Sequence, residues 1–330
     1  MSAGQGATDA AALHQALVDR LVQENAIHFP EVEAAFRAVP RHLFLPGVPL
    51  DEVYSDKAIV TRWIDSVPAS SSSQPAAMAI MLEQLGLEPG HRVLEIGAGT
   101  GYNAAVIAQI VGERGEVVTV DIDAEIAEEA RSHLEAAGVT GVKVVCADGG
   151  LGYPDRAPYD RIILSVGAWD IAPPWVEQLK PDGRLLLPLW VRTAQKTVAF
   201  ERVGGHLESV SVTDCAFMRL RGLFAGPEAF VPLGPEPGLL LGLDDRAMVN
   251  PETVYGLLTG PSQDWPVGVS VTLDDIWRSL SLWLALREPG YCLLIAQEAL
   301  ALRLELPFLY EMGGGERGTI GLLSEGALCL

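Results

Sequence analysis

The residues best placed to do chemistry lie in the stretch VLEIGAGTGYNAA, residues 93–105. An apolar run that ends at Ile96 is followed by Gly97, Gly99 and Gly101, and a helical pattern begins directly afterwards. Glycine has no Cβ atom, so a backbone rich in glycine lets a ligand approach closely. The spacing therefore predicts a ligand-binding turn between a strand and a helix.

Two acidic residues stand where the next two predicted strands end. VVTVDID places Asp121 24 residues after Gly97, and VVCADGG places Asp148 at the end of the third strand. An acid after the second strand is positioned to accept hydrogen bonds from ribose hydroxyls. Asp148 is positioned to accept from an adenine amino group. Taken singly, Asp121 is equally well explained as a turn former and Glu95, just before the glycine turn, as a surface acid, but their joint placement at consecutive strand ends is not.

The glycine spacing distinguishes two kinds of nucleoside site. A dinucleotide fingerprint requires G-x-G-x-x-G, and Tyr102 stands where its third glycine would be. The pattern E-x-G-x-G-x-G from Glu95, with the two acids in register, is similar to the S-adenosylmethionine site of class I methyltransferases. A nicotinamide enzyme stays the alternative because the fold is shared. The resemblance assigns to the methyl-donor site Glu95, Gly97, Gly99, Gly101, Asp121, Ile122, Asp148 and Gly149, with S-adenosylhomocysteine as the product.

The elements that must position these residues alternate along the chain. Apolar runs predict strands at 92–96, 116–120, 142–146, 160–166 and 183–189, and helices are predicted at 75–86, 102–112 and 124–138. Such alternation indicates a parallel sheet covered on both faces, with two later runs as antiparallel edge strands. The predicted fold is α/β, a Rossmann-like sheet of the class I methyltransferase type with N-terminal helices and a C-terminal α+β extension.

Three regions are predicted. Residues 1–88 form an N-terminal helical region with a substrate loop, 89–222 the methyltransferase core, and 223–330 an accessory domain. The boundary before the accessory domain rests on the proline- and glycine-rich stretch GPEAFVPLGPEPG. In the accessory domain, IWRSLSLWLALR predicts a helix, and WPVGVSVTL and YCLLIA predict strands.

Composition excludes several classes of protein. The 330 residues carry a net charge of −20, which argues against nucleic-acid or anionic-membrane partners because both require a basic surface. The four cysteines lie far apart without a C-x-x-C pair, so no metal site and no disulfide framework is expected. Neither a secretory signal nor a membrane-spanning run is visible, so we expect a soluble, cytoplasmic protein. The oligomeric state is left open.

Motifs on both sides of the glycine turn narrow the resemblance. VPRHLFLPG (39–47), VYSDKAIVT (53–61), the S-Q-P step at Ser73, and APYDRII (157–163) occur in this order. Over residues 10–222 the chain resembles the protein-L-isoaspartate O-methyltransferase family. It departs in its four consecutive serines and in the two tryptophans of VGAWDIAPPW. These departures, the phrase CAFMRLRG and the C-terminal extension resemble the branch associated with lanthipeptide and other ribosomal-peptide gene clusters.

The resemblance implies two acceptors for the methyl group. The first expectation is an aspartate side chain in a ribosomally made, constrained peptide, whose ester then closes to aspartimide or isoaspartate. The alternative is repair of isoaspartate in damaged proteins. A non-catalytic peptide-binding module is the third hypothesis, but it would be expected to show a damaged glycine turn or missing acids.

The acceptor side of the site is predicted around the run SSSSQP, read as a loop. A carboxylate is already ionised at neutral pH, so methyl transfer to it needs no general base, only hydrogen-bond donors. Ser73 is the expected catalytic donor, helped by backbone N–H groups at the start of the following helix. The predicted substrate contacts are Tyr54, Ser72, Gln74 and Trp169. Plain packing is the competing explanation for Trp169.

Overall fold

The structure is a computed structural model that describes residues 3–64, 67–226, 230–243, 249–264, 268–307, 310–313, 315–324 and 326–330. The chain divides into two compact units. The first consists of Met1–Leu189 and Thr197–Ala225, and the second of Trp190–Lys196 and Gly226–Leu330. The predicted boundary after residue 222 lies close to the end of the first unit. The predicted division after residue 88 falls inside that unit.

Helices and strands alternate through the first unit as the sequence predicts. Its helices are α1 (Ala3–Gln23), α2 (Pro30–Ala38), α3 (Leu50–Val53), α4 (Pro75–Leu85), α5 (Tyr102–Val111), α6 (Ala124–Ala136) and α7 (Pro173–Gln178). Its strands are β1 (Ile59–Ile64), β2 (Val67–Ser72), β3 (Arg92–Ile96), β4 (Glu116–Asp121), β5 (Val142–Cys146), β6 (Tyr159–Leu164), β7 (Leu179–Val191), β8 (Ala194–Val203) and β9 (His206–Asp214). The residues around the turn between β7 and β8 belong to the second unit.

A seven-stranded sheet forms the middle of the first unit, in the order β5-β4-β3-β6-β7-β8-β9. The strands from β5 to β7 pair in parallel. Two-residue links join β7 to β8 and β8 to β9, so these last strands run antiparallel. Val93, Leu94 and Ile96 of β3 are all buried, as expected for a strand covered on both faces. The α/β class predicted from the sequence is confirmed.

The serine run is a strand up to Ser72, and the prediction of a loop there was wrong. β1 and β2 pair antiparallel, with Ile59 opposite Ser72 and Val60 opposite Ser71. Serine has little strand preference of its own, so pairing with the β-branched residues of β1 supplies the main-chain hydrogen bonds. Ser73 is therefore the first residue beyond a hairpin, directly before α4.

Helix α4 is fixed at both ends. Pro75 opens it, and Gly86 closes it in a left-handed conformation (φ 63°), as predicted. The carbonyl of Gln84 accepts a hydrogen bond from Arg184 Nη1 (2.7 Å), and that of Leu85 from Arg161 Nε (2.9 Å). Cations at a helix C-terminus also favour the helix dipole. The helix that follows Ser73 is thus tied to the central sheet.

The second unit is an α+β structure with an antiparallel sheet. Its strands are β10 (Phe230–Pro232), β11 (Leu239–Gly242), β12 (Tyr291–Gln297), β13 (Tyr310–Gly313), β14 (Glu316–Leu323) and β15 (Leu328–Cys329). They follow the order β10-β11-β12-β14-β13, with β15 also on β14. Its helices are α8 (Pro251–Thr259), α9 (Leu273–Asp275), α10 (Ser281–Arg287) and α11 (Glu298–Arg303).

Predictions for the second unit were partly right. YCLLIA lies in β12, and IWRSLSLWLALR is helical, as a π turn at Ile276–Leu280 followed by α10. In WPVGVSVTL, residues 265–267 lie outside the described residues, and residues 268–272 form no strand. Val269 is 70% exposed, so its alternation with polar residues does not mark a buried strand face. Across the described ranges, no helix is long and apolar enough to cross a membrane.

A core substitution in α4 tests this packing. Leu82 is almost fully buried, and Leu82→Ala is expected to cost about 2–5 kcal/mol of unfolding free energy through lost contacts and a cavity. The control is Leu151→Ala, at a residue 52% exposed, with an expected effect within about 0.5 kcal/mol. The midpoint of thermal unfolding should be measured for the transition that S-adenosylhomocysteine shifts to higher temperature, because that transition reports on the unit that binds it. Equal effects of the two substitutions would contradict the packing described for α4.

Candidate active site

A cavity of about 330 Å³ lies in the first unit at the carboxyl ends of β3, β4 and β6. Four segments form most of its wall: residues 69–74, 95–100, 120–122 and 214–221. β3 pairs with β4 on one side and β6 on the other, so the chain connections diverge at this point. Ligands of open α/β sheets bind in the crevice formed by such a divergence.

The glycine turn is built for a close approach. Gly97 and Gly99 line the cavity, and all three predicted glycines have positive φ, at 99°, 51° and 85°. A Cβ on Gly97 would lie 3.1 Å from Val166 Cγ1, and one on Gly99 would lie 3.3 Å from Ser71 O. Gly101 is the residue before α5 and packs against α6 outside the cavity lining. Gly97 and Gly99 therefore form part of the cavity wall, while Gly101 shapes the turn.

Glu95 lies at the bottom of the cavity and is fully buried. Its carboxylate accepts hydrogen bonds from Asn103 Nδ2 (2.7 Å), Thr119 Oγ1 (2.7 Å) and Ser165 Oγ (3.1 Å). Burial nevertheless raises the pKa of Glu95 to about 7, because an ionised carboxylate loses its hydration there. Asn103 Oδ1 is buried without a hydrogen-bond partner. A buried carboxylate beside an unsatisfied acceptor suits a cationic ligand group.

Asp121, the last residue of β4, brings a second carboxylate to the cavity. Its oxygens accept from the backbone N–H of Gly99 (3.3 Å) and of Asp123 (3.1 Å). Burial raises the pKa of Asp121, partly offset by these hydrogen bonds and by Arg221, whose Nη2 lies 3.9 Å from Oδ1. A carboxylate has about four lone-pair sites, so ribose hydroxyls can still donate to it. Ile122, 38% exposed, lines the wall next to it.

Asp148 is already engaged by the chain itself. Its Oδ1 accepts from Gly150 N (2.9 Å) and its Oδ2 from Leu223 N (2.7 Å). Gly149 lines the cavity, whereas Asp148 does not. The lone pairs left on its carboxylate allow a further donor, so its predicted contact with adenine stays a prediction. Sequence reasoning missed the contact with Leu223, which is 75 residues away.

Ser72 and Ser73 have different surroundings. The Ser72 hydroxyl is buried and lies 3.2 Å from Arg41 Nη2. Ser73 lines the cavity, and no residue in the described part of the chain hydrogen-bonds to its hydroxyl. Ser72 also lines the cavity, but its hydroxyl oxygen already accepts from Arg41. Of the two, Ser73 is the hydroxyl that has no partner among the described residues.

Of the other predicted substrate contacts, one lines the cavity and two do not. Gln74 lines the cavity, and its Nε2 donates to Asp56 Oδ2 (2.7 Å). Tyr54 is buried outside the cavity lining, and its hydroxyl lies 2.5 Å from His42 Nδ1. Trp169 also lies outside the lining; it stacks on Phe224 and is 44% exposed. The structure does not bring Tyr54 or Trp169 to the cavity, because both rings pack elsewhere.

Two residues that sequence reasoning did not assign hold the serine segment. Arg41 donates to the carbonyl of Ser73 (3.0 Å), and Asp56 accepts from the N–H of Ala76 (2.9 Å). The signal that could have found them was present, because both belong to the motifs VPRHLFLPG and VYSDKAIVT. Among the residues that the structure describes, no three His, Cys, Asp or Glu side chains form a cluster that could hold a metal ion.

The sheet is parallel from β5 to β7, acids stand at the ends of successive strands, and a glycine turn lies at the switch point. These features are typical of the class I S-adenosylmethionine-dependent methyltransferases, and this chain is one of them. Within that class it belongs to the protein-L-isoaspartate(D-aspartate) O-methyltransferase family, which matches residues 12–223. The family predicted from the sequence is confirmed, as is the methyl donor.

Known relatives support this assignment. A protein-L-isoaspartate O-methyltransferase of Hyperthermus butylicus is 39% identical over 221 residues, which are 64% of this chain and 90% of that one. A solved protein-L-isoaspartate O-methyltransferase matches with 28% identity and a TM-score of 0.60, covering 70% of this chain and 85% of that one. A Plasmodium falciparum structure of this kind, in complex with S-adenosyl-L-homocysteine, shows the same fold at 17% identity and TM-score 0.56, covering 63% and 98% of the two chains.

The residues of the cavity fit S-adenosylmethionine. Glu95 and the unsatisfied Asn103 Oδ1 suit its ammonium group, and Asp121 suits its ribose hydroxyls. Gly97 and Gly99 line the cavity at positions where an added Cβ atom would press on Val166 and on the Ser71 carbonyl, so the turn has this shape only with glycine.

The raised pKa of Glu95 predicts pH-dependent donor binding. If the cation requires ionised Glu95, S-adenosylmethionine should bind about 10-fold more weakly at pH 6 than at pH 8, because a group of pKa about 7 is mostly protonated at pH 6. Calorimetry at both pH values measures this. The Glu95→Gln variant should bind S-adenosylmethionine weakly at both pH values and lose the pH dependence. If the variant kept the pH dependence, another group would be responsible for it, and Asp121 would be the first to test.

The same shift predicts the effect on stability. The folded protein holds the Glu95 proton more tightly than the unfolded chain, so this group destabilises the fold as pH rises from about 4.5 towards 7. Glu95→Gln should therefore unfold at higher temperature than the wild type at pH 8, with a smaller difference at pH 5.

Proposed function

We propose that this chain transfers a methyl group from S-adenosylmethionine to the free carboxylate of an isoaspartyl residue in a protein or peptide. The observation that carries the proposal is the unengaged Ser73 hydroxyl on the wall of the donor cavity. The names of the relatives, all isoaspartate methyltransferases, support the same acceptor.

When bound, S-adenosylmethionine supplies a sulfonium methyl group, which a carboxylate oxygen takes as the carbon–sulfur bond breaks and its electron pair stays on sulfur. The acceptor is ionised at neutral pH, so no residue has to remove a proton. The chain's task is to align the two groups and exclude water, which can contribute up to about 7–11 kcal/mol in well-oriented cases. Ser73 can donate a hydrogen bond that orients the acceptor carboxylate.

Helix α4 contributes less to anion binding than the sequence suggested. Pro75 has no N–H group, and the N–H of Ala76 already donates to Asp56 Oδ1. The first two positions of the helix therefore offer an acceptor carboxylate nothing. This leaves a larger share of the acceptor's hydrogen bonding to Ser73.

The tailoring function that the sequence favoured is the second candidate. Its acceptor would be an aspartate in a constrained, ribosomally made peptide, whose ester would lose methanol to the neighbouring amide and close to an imide. One observation favours it: residues 226–330, which form most of the second unit, lie beyond the region that matches the family. The relatives favour isoaspartate instead, so we place the repair-type acceptor first.

Two peptides separate these functions. With radiolabelled S-adenosylmethionine, we expect methylation of a linear isoaspartyl peptide and little methylation of a cyclised peptide of the same composition with normal aspartate. The α-linked counterpart of the linear peptide is the control for linkage. Preference for the cyclised aspartyl peptide would reverse the ranking, and methylation of neither, with donor binding intact, would exclude both proposals.

Ser73→Ala tests the role of the hydroxyl. We expect kcat/KM for the isoaspartyl peptide to fall at least about 10-fold, the effect of losing a hydrogen bond to a charged group. The affinity for S-adenosylhomocysteine should stay within about 2-fold, because donor contacts are elsewhere. The control is Thr61→Ala, at an exposed residue of β1 outside the cavity lining. A Ser73→Ala variant that mainly lost donor affinity would place Ser73 in the donor site.

A further inference from the structure

Arg41 is a buried cation that ties together segments distant in sequence. Its guanidinium is fully buried. Nη1 donates to the carbonyls of Val53 (2.9 Å) and Ser55 (3.3 Å), and Nη2 donates to that of Lys57 (3.1 Å). These three carbonyls belong to the segment that leads into the hairpin β1–β2.

The same guanidinium also holds the end of β2. Nη2 lies 3.3 Å from Ser72 O and 3.0 Å from Ser73 O, and both Nη2 and Nε lie within reach of Ser72 Oγ, at 3.2 and 3.4 Å. The two peptide groups that flank Ser73 are therefore both hydrogen-bonded to one cation. The direction of the Ser73 side chain follows from this backbone.

Every hydrogen-bond partner of Arg41 is a neutral oxygen. No carboxylate of a described residue lies within 4.0 Å of its nitrogens. Burial lowers the pKa of Arg41, but arginine stays charged in proteins. Burying an unpaired charge is costly, and carbonyls compensate it only in part. Arg41 does not line the cavity, but it donates to Ser72 and Ser73, which do, so its charge raises the electrostatic potential at that part of the wall without contacting a ligand.

Asp56 holds the other side of the serine segment. Its Oδ1 accepts from Ala76 N (2.9 Å) and its Oδ2 from Gln74 Nε2 (2.7 Å). Ser73 thus lies between residues held by Arg41 and residues held by Asp56. The Asp56 charge also attracts Arg41, so it reduces the positive potential that an approaching carboxylate meets.

We propose that Arg41 is a positioning residue that fixes Ser73 and makes the site selective for an anionic acceptor. This rests on the proposed function. A carboxylate gains from the buried charge, whereas its neutral methyl ester does not. Methyl transfer therefore removes the attraction that bound the substrate, which favours release of the product.

The charge preference can be measured without turnover. Two isoaspartyl peptides are compared, one with the free α-carboxylate and one with a carboxamide in its place, by calorimetry with S-adenosylhomocysteine bound. The wild type should bind the acid at least about 10-fold more tightly than the amide. Arg41→Lys should keep a preference of about that size, and Arg41→Gln should reduce it below about 2-fold, with donor affinity within about 3-fold of wild type. A purely structural role would weaken both peptides equally.

Two further variants make the test decisive. Asp56→Asn keeps an oxygen for Ala76 N–H but removes the negative charge, so the acid-to-amide preference should rise above the wild-type value. The control is Arg37→Gln on α2, where the guanidinium pairs with Asp19 and Glu33 at the surface; the preference should not change.

Specific results would overturn the inference. An Arg41→Gln variant that kept the wild-type acid-to-amide preference would do so. An Asp56→Asn variant whose preference was at or below the wild-type value would also do so, and this result decides the case if Arg41→Gln does not fold. Loss of S-adenosylhomocysteine and peptide affinity in equal measure in Arg41→Lys would likewise reduce Arg41 to a structural role. The proposed function fails separately, if the wild type methylates no isoaspartyl peptide.

Discussion

The parallel pairing of β3 with β4 on one side and with β6 on the other is the constraint on which the site depends. Parallel strands end at the same edge of a sheet, so Glu95, Asp121 and the glycine turn meet although they are spread along the sequence. The chain continues from β3 to β4 and β5 on one side and then returns to β6 on the other side of β3, and the crevice opens at this switch point. No side chain of the donor site would be in place without this register.

The part of the cavity wall that we propose for the acceptor comes from elements outside the central sheet. The hairpin β1–β2 and helix α4 present Ser73, and each is held by charged side chains that bind main-chain groups. Arg41 and Asp56 bind the segment around Ser73, and Arg161 and Arg184 bind the far end of α4. The proposed donor and acceptor residues thus lie on different elements, so we expect substitutions to affect one binding event without the other.

Most of the fold of the first unit could be predicted, because its signals are local. Apolar runs bounded by glycine, and the helices between them, follow from periodicity and turn chemistry. Pro75 and Gly86 marked α4 to within a residue. The loop prediction for the serine run was wrong because pairing with β1 makes the run a strand, and serine has no local preference that would indicate this. The strand predicted at residues 268–272 was wrong for the opposite reason: the alternating pattern is present, but no partner strand pairs with it.

The donor residues were accessible to sequence because each belongs to a motif tied to one strand end. The sequence by itself determined the family, the methyl donor and the acids expected to bind it. Only the tertiary structure showed that Ser72 Oγ accepts from Arg41, whereas the Ser73 hydroxyl has no partner among the described residues. The tertiary structure also showed that Tyr54 and Trp169 lie outside the cavity wall and that Asp148 accepts a hydrogen bond from Leu223 N–H. The physical reason is that a hydrogen bond between distant segments depends on packing geometry, which residue type and spacing do not encode locally.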